Sequence, residues 1–130
     1  MVKTRLIQFK VFKDVESFLT PIEDKELPFK VKRVFYIYNI EAGDIRGGHT
    51  HKKCKQLLIC LQGKIKVVCD DGKVKKNYIL CHPTIGLYVP PMVWATQHFQ
   101  ADDSILLVLA DKYYDQSDYI HDYKKFKEKI

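Results

Sequence analysis

The chain has 130 residues, 46% of them apolar, and sets 22 Lys and Arg against 16 Asp and Glu for a formal net charge of +6. That length suits one compact domain burying roughly two-thirds of its unfolded surface, and a content of only six Gly and five Pro excludes fibrous and wholly disordered classes. The longest uncharged apolar runs, 57–61 and 105–110, fall far short of the about 20 residues that cross a bilayer, so no membrane span is expected.

Residues 14–19 read as a short turn or helix. The first strong strand signal covers 31–40, where Val34, Tyr36, Tyr38 and Ile40 alternate with Phe35, Ile37 and Asn39. A glycine-bearing turn, 42–48, leads into the strand segment His49-Thr50-His51. Strands at 56–61 and 64–69 are expected to form a hairpin about Gln62-Gly63, and Asp70-Asp71-Gly72 closes the next hairpin into 74–80. Residues 86–89 run into a break at Pro90-Pro91, and Ile105–Ala110 reads as a buried strand. In the tail, 113–130, Tyr119, Tyr123, Phe126 and Ile130 are spaced as one apolar face of a helix between lysines. Frequent turns without a long helical period predict an all-β sandwich or barrel with a short C-terminal helix. No internal repeat or linker divides the chain, so a single domain over 1–130 is expected. It comprises an N-terminal arm (1–30), a barrel (31–112) and a helical tail (113–130).

The start of the chain has no apolar stretch of signal-peptide length, which predicts a cytoplasmic protein. Cys54, Cys60, Cys69 and Cys81 include no Cys-x-x-Cys pair. They are expected to be reduced thiols, mostly small buried hydrophobes, and not disulfides or zinc ligands. The positive charge invites a nucleic-acid reading, but the lysines are scattered and no recognised nucleic-acid module is present, so no nucleic-acid partner is expected.

His49-Thr50-His51 is the most informative local feature. Residues two apart on a strand share a face, so both imidazoles enter one cavity, where they either bind a metal or move protons. Gly48-His49-Thr50-His51, four residues, Gln56, six residues and Gly63 resemble the first cupin motif, and Pro90-Pro91-Met92-Val93-Trp94-Ala95 stands where the second would fall. The resemblance implies a small antiparallel jelly-roll barrel with its site inside. Gln56 occupies the place of the cupin glutamate and Ala95 that of the last histidine, so two of the four usual ligands are absent and no metal is expected. The histidines are left as a proton-transfer pair in a partly desolvated barrel.

A longer series narrows this reading: Arg46-Gly47-Gly48-His49-Thr50-His51-Lys52, Gln56, Gly86-Leu87-Tyr88-Val89-Pro90-Pro91 with Trp94, and Tyr114-Asp115 with Asp118-Tyr119-Ile120, Tyr123 and Phe126. Together with Lys32-Arg33-Val34-Phe35-Tyr36-Ile37, it resembles the bacterial sugar 3,4-ketoisomerases, cupin enzymes acting on dTDP-4-keto-6-deoxyglucose. Two departures stand out. His121 sits where the family tail usually has Arg, at a peripheral position, and the segment 14–19 lacks the arginine of the family's Asp-x-Arg-Gly-x-Leu.

The resemblance implies a homodimeric isomerase that moves a ketone from C4 to C3 of a dTDP-linked 4-keto-6-deoxy sugar and needs no cofactor. It assigns proton transfer to His49, as base at C3, and His51, as shuttle between oxygens. Arg46 then serves the pyrophosphate or the enediolate, Tyr36, Tyr38, Gln56 and Trp94 contact the substrate, and His98 lies at the rim. A related keto-sugar epimerase and a non-catalytic cupin that binds a nucleotide sugar are the alternatives.

Overall fold

The computed structural model describes residues 3–130. In chain order these form β1 (Arg5–Gln8), β2 (Phe12–Asp14), β3 (Ser17–Leu19), β4 (Arg33–Ile37), β5 (Ile45–His51), β6 (Gln56–Gln62), β7 (Ile65–Asp70), β8 (Lys75–Leu80), β9 (Ile85–Val89), β10 (Trp94–Phe99), β11 (Ile105–Ala110), β12 (Tyr119–Ile120) and α1 (Tyr123–Glu128). One five-stranded sheet runs β1-β9-β6-β11-β4 and the other β12-β5-β10-β7-β8, while β2 and β3 pair as a separate hairpin. Neighbouring strands are antiparallel throughout, as in β4 with β11 and β5 with β10.

The sheets close on a shared core. Leu58, Leu106 and Val108 of the first meet Ile65, Val67 and Phe99 of the second. This is the expected all-β, cupin-like jelly roll. A second cluster explains why 57–60 is apolar without alternation. Leu57 and Ile59 point to the outer face of the first sheet, where Phe9, Phe29 and Tyr88 pack with them beneath Ile22, Leu27 and Val31. A strand covered on both faces has no solvated side for polar residues. Part of the N-terminal arm is therefore built into the barrel, since β1 also pairs with β9.

Several elements differ from the sequence expectation. β6 and β7 are consecutive but lie in different sheets, so Gln62-Gly63 is a crossing and not a hairpin; Gly63 makes the bend at φ 92°. The hairpin at Asp70-Asp71-Gly72 forms as expected, with β7 paired to β8. Residues 14–19 are neither an isolated turn nor a helix: they hold the β2–β3 hairpin, with Asp14 opposite Ser17. The strand expected only from His49 begins at Ile45. The tail helix is shorter than its spacing suggests because Tyr119 and Ile120 take ladder positions beside His51 and Thr50. The helix then starts where the Asp122 carboxylate accepts from the N–H groups of Lys124 and Lys125. The four cysteines are free, and three of them are buried.

Candidate active site

The sequence of β5 sets the geometry of the site. Strict alternation would put Arg46 and His49, three apart, on opposite faces. The β5–β10 register instead jumps from Ala95 opposite His49 to Thr96 opposite Gly47, which leaves Gly48 as an extra residue. Gly47 and Gly48 both have positive φ, 83° and 73°. This bulge brings Arg46, His49 and His51 to the inner face together. A side chain at Gly47 would also force its neighbours to shift, because a Cβ there would lie 2.6 Å from Oε1 of Gln97 and 2.7 Å from the Ala95 carbonyl oxygen.

Between the sheets lies a cavity of about 170 Å³. Its polar wall is Arg46, His49, Gln56, Gln97 and Tyr119, while Phe35, Ile37, Leu58, Leu106 and Val108 form an apolar floor. His49 and His51 meet edge to face with ring centroids 5.2 Å apart, and Tyr119 lies across both at 5.0 and 4.3 Å. His121, stacked on Tyr119, reaches within 5.7 Å of His49. His121 is therefore part of the site rim and not the peripheral residue expected from sequence.

Burial holds both imidazoles neutral at physiological pH. It is the main cause that lowers His49 below the usual histidine range, followed by the charge of His121 and opposed by a backbone hydrogen bond at Gly47. His51 is pushed down to about 4, chiefly by burial and then by His49, with Asp118 pulling upward and Arg33 downward. The His51 Nδ1 lies 3.5 Å from Oδ2 of Asp118. That separation permits charge interaction but not a well-formed hydrogen bond, and neither ring nitrogen of His51 has a hydrogen-bond partner.

The remaining predicted residues are not brought to this cavity. Tyr36 on β4 and Tyr38 just beyond its end are both exposed, with rings 5.7 Å apart, while Phe35 and Ile37 point inward. Trp94 packs on Tyr123 and Phe126 at 5.2 and 5.7 Å, walling the tail helix rather than the cavity. In β10 the buried positions are Ala95, Gln97 and Phe99, so His98 faces the other side and Gln97 takes the inward place. Gln97, Asp118 and Tyr119 were not singled out from sequence. Asp118 and Tyr119 belong to the tail series, but nothing in their spacing shows that the tail returns to pair with β5.

His51, Cys54 and Asp118 are the one group of potential metal ligands among the described residues. Their chemistry does not suit a metal. Burial raises the Cys54 thiol and keeps it protonated. The two Asp118 oxygens already accept from the N–H groups of Lys53 and Cys54, at 2.9 and 3.1 Å. A larger cavity, about 340 Å³, lies at the turns near Asp71, Pro91 and Ile130. Its wall of apolar side chains and lysines contains no histidine, so it lacks a base suited to proton transfer near neutral pH.

A jelly-roll barrel with neutral histidines on its inner wall defines a cupin-class protein with a polar site inside the barrel. The comparisons place it more closely. The family model described as "FdtA: WxcM-like, C-terminal" matches residues 2–130. TDP-4-oxo-6-deoxy-alpha-D-glucose-3,4-oxoisomerase of Aneurinibacillus thermoaerophilus is 42% identical over 130 residues, spanning 99% of this chain and 94% of that protein. QdtA, a sugar 3,4-ketoisomerase from Thermoanaerobacterium thermosaccharolyticum in complex with TDP, superposes with a TM-score of 0.93 at 41% identity, covering 97% of this chain and 93% of its own. A histidine-to-asparagine variant of that enzyme, in complex with TDP-4-keto-6-deoxyglucose, gives a TM-score of 0.94 at 39% identity over 99% and 94% of the two chains. The chain belongs to the FdtA-like sugar 3,4-ketoisomerase family, and it is an isomerase.

Proposed function

We propose that the enzyme converts dTDP-4-keto-6-deoxyglucose to a dTDP-3-keto-6-deoxyhexose. The observation that carries this reading is the pair of neutral imidazoles on one strand face, one of them lining the inter-sheet cavity beside Arg46. A ketone at C4 acidifies the C3 hydrogen. His49 removes that proton, and the electrons of the C3–H bond form the enediolate. A proton is returned to C4, while the C3 hydroxyl proton passes to the C4 oxygen through His51. The C3–H bond is lost and a C4–H bond gained, so the sugar is neither oxidised nor reduced overall and no redox cofactor is required. Arg46 supplies fixed positive charge for the enediolate or the diphosphate, and the Gln56 and Gln97 amides orient sugar hydroxyls.

The cavity is smaller than the roughly 300–1,000 Å³ of a drug-sized site, which fits a sugar ring inside and the nucleotide at the mouth. A homodimer belongs to the same reading. Phe12, Val15, Phe18 and Leu19 of the hairpin are exposed, as are Val34 and Tyr36 on β4, which is an edge strand, and Tyr38 just beyond its end. Apolar surface beside a free edge is what a second copy would cover. No helix among the described residues is long and apolar enough to cross a membrane, and a cytoplasmic setting suits an enzyme that draws on nucleotide sugars.

The test is incubation of the enzyme with dTDP-4-keto-6-deoxyglucose and NMR of the sugar. A new carbonyl resonance at C3 is the expected result. A ketone that remains at C4 with inverted C3 or C5 would make the enzyme an epimerase, and an unchanged sugar that nevertheless binds would make it a binding module.

A further inference from the structure

Asp118 has no part in the proton transfers above, yet it is the most firmly held polar group near them. Its Oδ1 and Oδ2 accept from the backbone N–H groups of Lys53 and Cys54 at 2.9 and 3.1 Å. Its carbonyl oxygen accepts from the Lys52 N–H at 2.9 Å, and its own N–H donates to the Asp115 carbonyl at 3.0 Å. Residues 52–54 directly follow His51, so carboxylate and imidazole are fixed to the same short stretch of backbone. Oδ2 then lies 3.5 Å from Nδ1 of a ring that is almost wholly buried and whose two nitrogens have no hydrogen-bond partner. Resting contacts of this kind are often long and tighten when charge develops.

We propose that Asp118 is a positioning residue for His51: it selects the tautomer protonated on Nδ1, leaves the Nε2 lone pair free, and stabilises the imidazolium formed when His51 takes a proton in transit. The groups facing His51 support this assignment. His49 and Arg33 are cationic or become so, Tyr119 and the protonated Cys54 thiol are neutral, and Asp118 is the one anion in the set. Without it, a proton on His51 would sit beside Arg33 with no counter-charge. Loss of the corresponding carboxylate elsewhere leaves the histidine in the wrong tautomer and costs orders of magnitude in turnover.

The proposal rests on the isomerase reading for its kinetic consequence but not for its structural one, and the test separates the two. The ¹⁵N shifts of the His51 ring in the wild-type enzyme should show a neutral ring protonated on Nδ1. Protonation on Nε2 would overturn the assignment, whatever the enzyme turns over. In Asp118→Asn the proton should redistribute toward Nε2, kcat should fall about 100-fold or more with KM within about threefold, and the acid limb of the pH profile should move to lower pH. An unchanged kcat, or a loss of kcat with the His51 tautomer unaltered, would reduce Asp118 to a brace for the 52–54 turn. If Asp118→Asn does not melt cooperatively, the wild-type ¹⁵N result decides alone. Absence of turnover by the wild type would defeat the isomerase reading and leave the tautomer result standing.

Discussion

Arg46 and His49 share a face only because Gly47 and Gly48 absorb one residue of register, both at positive φ. Gly47→Ala is therefore expected to damage the site more than the fold. The new Cβ would press on the β10 backbone at Ala95 and on the Gln97 amide. A displacement of His49 by about 1 Å is worth about 100-fold in rate. Steady-state kinetics beside a thermal melt should show kcat/KM down by that order while cooperative unfolding is kept. At this scale much of the site was legible: His-x-His, Arg46 and Gln56 carry their chemistry in residue type and spacing. Strand parity was not. The run Val34 to Tyr38 offers two alternating sets, both of them apolar or aromatic, and nothing local shows that Phe35 and Ile37, not Tyr36 and Tyr38, turn inward. Gln97 and His98 pose the same problem in a strand that hydrophobicity alone does not reveal.

The tail acts on the site through one short element. α1 has only six residues, too few to hold as an isolated helix. Tertiary packing holds it: Phe126 is fully buried against Trp94 and Tyr123, and the Tyr123 hydroxyl donates to Asp70 at 2.6 Å. The preceding strand carries Tyr119 beside His51. Phe126→Ala is expected to cost about 3–5 kcal/mol, read from denaturant unfolding, and to speed amide exchange in β12 before the rest of the barrel. If β12 exchanges no faster than β7, the tail does not secure Tyr119. The helical spacing was visible in sequence, but its reach was overstated. Tyr119 fits an apolar helix face and an edge-strand position equally well, and only the free ladder of β5 decides between them. The crossing at Gln62-Gly63 is hidden in the sequence for a related reason: a tight turn looks the same whether its flanking strands pair or part into two sheets.

Across the whole molecule, burying neutral histidines ties stability to pH. The unfolded chain binds a proton at His51 below about 6.5, whereas the folded chain resists protonation until about 4. Folding stability contributed here is thus fully present above about 6.5 and is lost as pH falls toward 4, by an amount on the order of 3 kcal/mol. Urea midpoints at pH 7 and pH 5 should differ in that direction, and His51→Asn should flatten the difference; an equal slope in the variant would place the pH dependence elsewhere. The same burial keeps the two imidazoles uncharged in a protein of net charge +6. Its lysines are mostly solvated surface, and Arg46 is the cation that reaches the cavity.

In the proposed reaction the barrel histidines move the ketone by removing a proton at C3 and returning one at C4 from an exchangeable pool. The most direct measurement is turnover of dTDP-4-keto-6-deoxyglucose in deuterium oxide, with NMR of the product. One deuterium at C4 of the 3-keto sugar is predicted, with formation of that product abolished in His49→Asn. A 3-keto product that keeps protium at C4, or one formed at the wild-type rate by His49→Asn, would contradict it.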